Sequence, residues 1–339
     1  MIEFEDVTKR YPDGTVAVDN LSLRIPSNEI TVLVGPSGCG KTTSLRMINR
    51  MIERTAGRIA IDGKDINDSN VVELRRGIGY VIQHGGLFPH RTVLDNIATV
   101  PKLLGWDKAK VRARAQELLE RVGLDAKLGK RYPVQLSGGQ QQRVGVARAL
   151  AADPDIMLMD EPFSAVDPIV RNQLQEELLR LQREIGKTIV FVTHDIDEAI
   201  KLGDNVAVLR VGGKLAQFAP PSELLADPAD EFVESFIGRD RGYRALTFVQ
   251  ADAIELLPLP ETLALGEDGR PLGWHNGAAS NGKSEELLPV GAVFHKHDSL
   301  RAALDAVLTS PVGQGVCVDD NGRAVGVVDH GLLAAVVHS

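Results

Sequence analysis

Cysteine is scarce in this chain. The two present, Cys39 and Cys317, stand far apart in unrelated surroundings. That argues against a disulfide framework and fits a reducing compartment. An apolar leader is missing too, since the opening stretch MIEFEDVTKRYPDG has no hydrophobic core. Nowhere does the sequence approach the roughly 20 apolar residues of a membrane span, so any membrane role is expected to be peripheral. Positive charge is not in excess. The formal net charge is −8 and the pI about 5.6, which argues against nucleic-acid binding through a broad basic surface. Sustained heptads are absent as well. What remains is an ordinary globular balance, 43% hydrophobic and 25% charged, over 339 residues, enough for two domains.

Apolar runs ending in polar residues organise the first two thirds. Ile30 to Val34 reads as a buried strand, followed by a glycine turn and a helix carrying Leu45, Met47 and Ile48. GRIAIDGKDI and RGIGYVIQ read as strands, and DKAKVRARAQELLERVGL as an amphipathic helix closed near Gly123. DIMLMDEP and GKTIVFVTHD are short apolar strands ending in Asp160-Glu161 and His194-Asp195, and NVAVLRVGGKLAQ is a hairpin around Gly212 and Gly213. Strands alternating with helices predict an α/β fold with a mostly parallel sheet, whose ligands bind beyond the carboxyl ends of the strands. After FVESFIGRD the composition turns to Pro, Gly and small polar residues, which places a domain boundary near Arg239. A short repeat follows it: Leu263–Trp274 parallels Val316–Val327, each a strand, an acidic glycine turn, an Arg and a second strand.

The chemistry sits at the strand ends. Gly35 to Thr42, GPSGCGKT, has the phosphate-loop spacing between a strand and a helix. Its glycines let the amides around Gly35, Ser37, Gly38, Cys39, Gly40 and Thr43 turn toward phosphate oxygens. Lys41 is expected to hold the β- and γ-phosphates and Thr42 to ligate Mg²⁺. Asp160 is expected in the Mg²⁺ shell through a water, and Glu161 as the base that activates the attacking water. Read alone, the two carboxylates could equally cap a helix. His194 is placed to hold the water and Glu161 in line. Gln83, after GYVIQ, can both ligate Mg²⁺ and reach the water. Tyr11 is expected to stack on adenine, or else simply to pack. A second glycine-paired segment, LSGGQ with Ser137, Gly138, Gly139 and Gln140, looks like a phosphate-binding loop too far along the chain to close on its own partner. Two copies packed head to tail would let each LSGGQ cap the other's ATP, with Asp167 at the same seam.

Together these motifs resemble an ABC-type ATPase subunit, from Ile2 to about Gly238 with no obvious gap. The resemblance implies a P-loop NTPase fold over 1–239, a RecA-like core with an antiparallel β-subdomain and a helical subdomain at about 90–150, using ATP and Mg²⁺. QHGGLFPHRTVLDNI is similar to importers, where the segment after Gln83 lines the groove for a coupling helix of the membrane permease. Leu87 and Phe88 are apolar contacts there or, alternatively, buried within the helical subdomain. LSGGQQQRVGVARALAADPDIMLMDEPFSAVDPIVRNQLQEELLRLQ resembles the osmoprotectant importer ATPases, which serve uptake of glycine betaine, choline, carnitine or proline betaine. Ser164-Ala165-Val166 departs from that group's more usual Gly-Ala-Leu.

The stretch from about 240 to 339 resembles the paired CBS modules of those importers, a small α+β regulatory or dimerisation domain whose first half is degenerate. It holds seven basic and twelve acidic residues from Arg241 onward, a balance that repels anionic lipid. His275, His295, His297, His330 and His338 look scattered, without ligand spacing. The partners implied are a second copy, a transmembrane permease and, indirectly, a substrate-binding protein, at the cytoplasmic face of the membrane, with no nucleic acid. Two other readings stay open: an importer of another small solute, such as a polar amino acid or an anion, and a soluble ABC ATPase acting on DNA or ribosomes.

Overall fold

The computed structural model describes residues 1–83, 86–164, 166–275 and 287–337. They fall into two compact units, Met1–Phe236 and Ile237–Ser339.

In the first unit, runs of β-branched and aliphatic residues build two sheets. β1 (Ile2–Arg10), β2 (Val16–Ile25), β4 (Ala56–Ile61) and β5 (Lys64–Asp65) form an antiparallel sheet in the order β2-β1-β4-β5. Its alternating burial, with Ile2, Phe4, Leu21, Leu23 and Ile59 inside, is the period-2 pattern of a sheet with one wet face. β3 (Ile30–Val34), β6 (Ile78–Val81), β7 (Ile156–Asp160), β8 (Thr188–Val192), β9 (Asn205–Arg210) and β10 (Lys214–Ala219) form the second, in the order β10-β9-β3-β8-β7-β6. Here β3, β7 and β8 are buried at every position, as strands covered on both faces must be. All but the β9–β10 hairpin are parallel. The ends of β3, β7 and β8 therefore open on one edge.

Helices flank these sheets. α1 (Lys41–Ile48) follows the first glycine turn, and α2 (Val71–Arg76) precedes β6. Between β6 and β7 run α3 (Val93–Ile97), α4 (Thr99–Leu103), α5 (Lys108–Arg121) and α6 (Gly138–Leu150). α5 buries Val111, Ala115, Leu118 and Leu119, a 3–4 spacing that seats one face on its neighbours. α7 (Pro168–Ile185) leads to β8, α8 (Ile196–Leu202) to β9, and α9 (Pro221–Ala226) and α10 (Glu231–Ile237) close the unit.

The second unit opens with α11 (Arg241–Ala245). Two hairpins follow, β11–β12 (Leu263–Leu265, Pro271–Trp274) and β14–β15 (Gln314–Val318, Ala324–Asp329). β13 (Val293–Phe294), α12 (Leu300–Thr309) and α13 (His330–Val337) pack with the latter. The two hairpins are equivalent bond for bond. Gly266 N donates to Arg270 O and Asp319 N to Arg323 O, both at 2.9 Å. Trp274 exchanges both backbone bonds with Leu288, and Val327 exchanges both with Leu257. Each hairpin thus pairs with the segment that leads into the other. Gly273 and Gly326 face those crossing segments so closely that a Cβ would strike Leu288 O at 2.7 Å and Leu257 O at 2.9 Å respectively. The halves differ between lead segment and hairpin. Leu257 is six residues before Leu263, but Leu288 is twenty-eight before Val316, and the longer connection contains β13 and α12. Ala251 and Ile254 join Phe294, Leu300, Ala306 and Cys317 in the core around α12.

Candidate nucleotide site

The turn after β3 is built by glycine. Gly35 has φ 153°, and a Cβ there would stand 2.3 Å from Leu209 O; Gly40 has φ 86°, and its Cβ would stand 2.3 Å from Ala17 O. Only a residue without a side chain lets this loop lie flat against β2 and β9. At Gly38, φ 77°, a Cβ would meet nothing within 4 Å, so that glycine serves conformation alone. Ser37 and Gly38 are exposed on the rim and Cys39 is buried beneath it. Burial pushes the Cys39 thiol up, against the opposing pull of Lys41. The Lys41 ammonium, itself buried, donates to the loop's own carbonyls, Gly35 O at 2.7 Å and Pro36 O at 3.1 Å. Those bonds hold the charge at the mouth of α1, where the first-turn amides lack helical acceptors.

Two carboxylates emerge from β7 in different roles. Asp160 is buried; its Oδ1 accepts the Thr42 hydroxyl at 2.7 Å, while Oδ2 lies 3.3 Å from Arg46 Nη2 and 3.4 Å from the Tyr80 hydroxyl. Burial pushes the Tyr80 phenol up, and its bond to Arg46 raises the guanidinium above its ordinary value. Arg46 and Tyr80 are part of the site that the motif search passed over. Arg46 sits one helical turn beyond Thr42 on α1, and Tyr80 precedes Gln83 on β6; an arginine four residues after the motif threonine was the available signal.

Glu161 turns away from Asp160. Its φ is 44°, a left-handed backbone for a non-glycine residue, and such strain persists where the surroundings enforce it. They do so by bonds from Glu161 N to Val192 O at 3.0 Å and from the Ser164 hydroxyl to Glu161 O at 3.0 Å. The carboxylate Oε2 then receives Gln83 Nε2 at 3.0 Å and lies 3.1 Å from His194 Nδ1. A His194 tautomer with its proton on Nδ1 donates to that oxygen.

Gln83, Glu161 and His194 are therefore brought together, beside Thr42 and Asp160. Among the described residues no hydrogen bond links Tyr11 or Ser137–Gln140 to this group. Tyr11 lies in the β1–β2 turn with Lys9 Nζ 5.0 Å above its ring. LSGGQ is less of a loop than its composition suggests. Ser137 caps α6, and Gly138, Gly139 and Gln140 are its first turn. Ser137 Oγ accepts from Gln140 N at 3.3 Å while Gln140 Oε1 accepts from Ser137 N at 3.0 Å, the reciprocal box that starts a helix. Ser137 and Gly138 remain exposed. Asp167 likewise caps α7, accepting from Val170 N at 3.1 Å. Leu87 is half-buried and Phe88 exposed, which rules out full burial for either. Phe88 borders a cleft of about 270 Å³ with Tyr80, Ile82 and Val100. Ala165, and His84-Gly85 after Gln83, lie outside the described residues.

The donor set fits Mg²⁺. Thr42 Oγ1 is a hard oxygen, and Asp160 Oδ1, 2.7 Å from it, is a carboxylate oxygen placed to accept from a water on an ion held by Thr42.

The chain is similar to proteins of one family. The family model described as ABC transporter matches residues 18–164. The osmoprotectant import ATP-binding protein OsmV of Salmonella typhimurium is 44% identical, the match covering the whole of this chain and 97% of that one. The choline transport ATP-binding protein OpuBA of Bacillus subtilis is 56% identical over 71% of this chain and 63% of its own length. Among solved structures, a dimeric ATP-binding cassette in a post-hydrolysis state with ADP and Pi superposes with a TM-score of 0.59 at 36% identity, covering 65% of this chain and 99% of that one. With the glycine turn, the Asp160-Glu161 pair and the capped LSGGQ helix in place, this chain belongs to the ABC transporter family of ATP-binding proteins.

Proposed function

We propose that the chain is the ATP-hydrolysing subunit of a membrane importer for quaternary-ammonium osmoprotectants such as glycine betaine, choline, carnitine or proline betaine. One observation carries the chemical half of this reading: Glu161 Oε2 is pinned by Gln83 and His194 together. Pinning one oxygen leaves Oε1 as the basic atom for an attacking water, in a fixed orientation. The cargo half is supported by the likeness to OsmV and OpuBA, whose names state osmoprotectant and choline transport.

The residues divide the work by position. Backbone amides of Gly35, Ser37, Gly38, Cys39, Gly40 and Thr43 would cradle the phosphates. Lys41 would exchange the carbonyls of Gly35 and Pro36 for the β- and γ-phosphate oxygens, trading neutral acceptors for charged ones. Thr42, Gln83 and, through a water, Asp160 would hold Mg²⁺, which would supply positive charge to offset that of the phosphates. Arg46 would hold the Asp160 carboxylate in place for that task. His194 would orient Glu161 and the water, and Tyr11 would stack on the base. Ser137, Gly138, Gly139 and Gln140 would offer the exposed start of α6 to the ATP of a second copy, with Asp167 at the same seam. ATP then joins two subunits, and loss of the γ-phosphate loosens them.

Residues 1–239 serve this engine, with 90–150 as its helical subdomain. The cleft beside Phe88 would receive a coupling helix of the permease, to which a substrate-binding protein delivers the solute, and the chain would act at the cytoplasmic face. No described helix is long and apolar enough to cross a membrane. Residues 240–339 form a CBS-like pair whose first half lacks the strand and helix that β13 and α12 provide in the second. Its excess of acidic residues favours a dimerisation or ligand-sensing role over lipid attraction. The test is reconstitution with the permease and binding protein in vesicles. Turnover should rise several-fold with a quaternary-ammonium solute and stay flat with polar amino acids or nitrate; stimulation by the latter alone would reassign the cargo.

A further inference from the structure

Within the second unit, the strand pair β13–β14 gathers residues that look unrelated in sequence. The two strands run parallel, with Phe294 opposite Cys317, so the loops leaving them emerge at the same edge. The first loop carries His295, His297 and Asp298; the second carries Asp319 and Asp320. His295 and His297 are two apart, which on extended chain puts them on one side and Lys296 on the other. Their rings stand 5.0 Å apart at 25°. Asp298 folds back, its Oδ2 accepting from His295 N at 2.7 Å and lying 3.2 Å from His295 Nδ1. One ligand atom from each of His295, His297 and Asp298 falls within 4.8 Å of the others. Across the edge, Asp320 Oδ1 is 4.0 Å from His297 Nδ1.

We propose that His295, His297, Asp298 and Asp320 form a binding site for a divalent transition-metal ion of the zinc class. Two imidazoles and two carboxylates make a mixed nitrogen–oxygen set, which suits zinc better than the all-oxygen preference of Mg²⁺ or Ca²⁺. Tetrahedral zinc with bonds of about 2.0–2.2 Å needs ligand atoms about 3.3 Å apart. The present spacings reach this by side-chain rotation, because His297 and Asp320 are 69% and 89% exposed at the side chain. The edge also suits a cation. Asp298 and Asp320 outweigh Lys296 beside them, and Asp298, just before the Ser299 cap, offsets the positive end of α12 that would otherwise repel a cation. Asp319 is not a ligand, since its Oδ1 accepts from the backbone of Asn321 and Arg323 at 2.9 and 2.8 Å. Nor is Cys317, whose side chain belongs to the apolar core with Phe294 and Val307. A bound ion would tie the start of α12, an element that the shorter first half lacks among the described residues, to the β14–β15 turn.

The test is zinc titration of the untagged, metal-stripped full chain by calorimetry, in buffer free of Mg²⁺ and nucleotide, with Co²⁺ absorption as a second probe. One Zn²⁺ per chain is expected, with a tetrahedral Co²⁺ spectrum. His297→Ala and Asp320→Asn replace exposed side chains, so the fold should survive. Each should weaken binding about ten-fold or more, while Thr42→Ala at the nucleotide site leaves it unchanged. Failure to bind zinc, or zinc binding indifferent to both substitutions, would overturn the assignment and leave the cluster as imidazole–carboxylate pairs.

Discussion

Glu161 illustrates how one backbone angle does chemical work. A left-handed residue there costs about 1–3 kcal/mol, and it turns consecutive carboxylates in different directions: Asp160 toward Thr42 and Arg46, Glu161 toward Gln83 and His194. Glu161→Gln keeps the shape and an acceptor oxygen but removes the base. We expect this variant to bind ATP normally, to lose at least about 100-fold in hydrolysis and to accumulate as a dimer with ATP in gel filtration. Monomers under those conditions would contradict the shared site. Lys41→Ala, by contrast, should abolish nucleotide binding itself in a fluorescent-ATP titration. Motif spacing made Gly35–Thr43, Asp160, Glu161 and His194 legible, because each follows an apolar strand. Tyr80 was not, since nothing local marks it, and Arg46 offered only its spacing of four from Thr42: both matter because α1 and β6 flank the same carboxylate. The histidine edge at β13–β14 escaped for a similar reason, one of its four groups, Asp320, arriving from beyond a strand about twenty residues away.

Elements pass position from one motif to the next. α7 begins at the Asp167 cap and α8 just after His194. They are pinned together where Gln175 Nε2 donates to Glu198 Oε1 at 3.0 Å, both side chains being buried. Burial pushes the Glu198 carboxyl up from its ordinary value near 4.5, outweighing bonds from Thr193 and Gln175. The folded state therefore holds this proton after the unfolded chain has released it. The resulting stability is complete below pH 4.5 and is lost as pH rises toward the elevated folded value. Glu198→Gln should remove that slope, so that urea unfolding at pH 5 and pH 7 shows the wild type losing ground to the variant. Equal differences at both values would refute the buried-acid account. Glu198→Ala should cost about 1–3 kcal/mol at either pH, because Gln175 keeps a buried donor without a partner. The strand and helix positions themselves were readable from apolar runs and glycines, as with Ile30–Val34. The LSGGQ segment misled because glycines suggest a loop, whereas the Ser137–Gln140 box has enough bonds to begin a helix.

For the molecule as a whole, two units predict two unfolding events. Gly326→Val should force a methyl-bearing carbon against the Leu257 carbonyl and destabilise the second unit by about 1–3 kcal/mol. In calorimetry one transition should fall and the other, identified by its rise with ATP, should stay; a common shift of both would show that the units melt as one. The repeat Leu263–Trp274 with Val316–Val327 was visible in the sequence, but its exchange of lead segments was not, because partners at Leu257 and Val327 share no local pattern. That exchange sets a timetable during synthesis. The first hairpin's lead segment at Leu257 must wait until Val327, seventy residues later, has been made, so neither half of this unit can complete its pairing alone. A stop codon just ahead of Val327 would take the keystone from both halves, stranding the Leu257 segment along with the second hairpin.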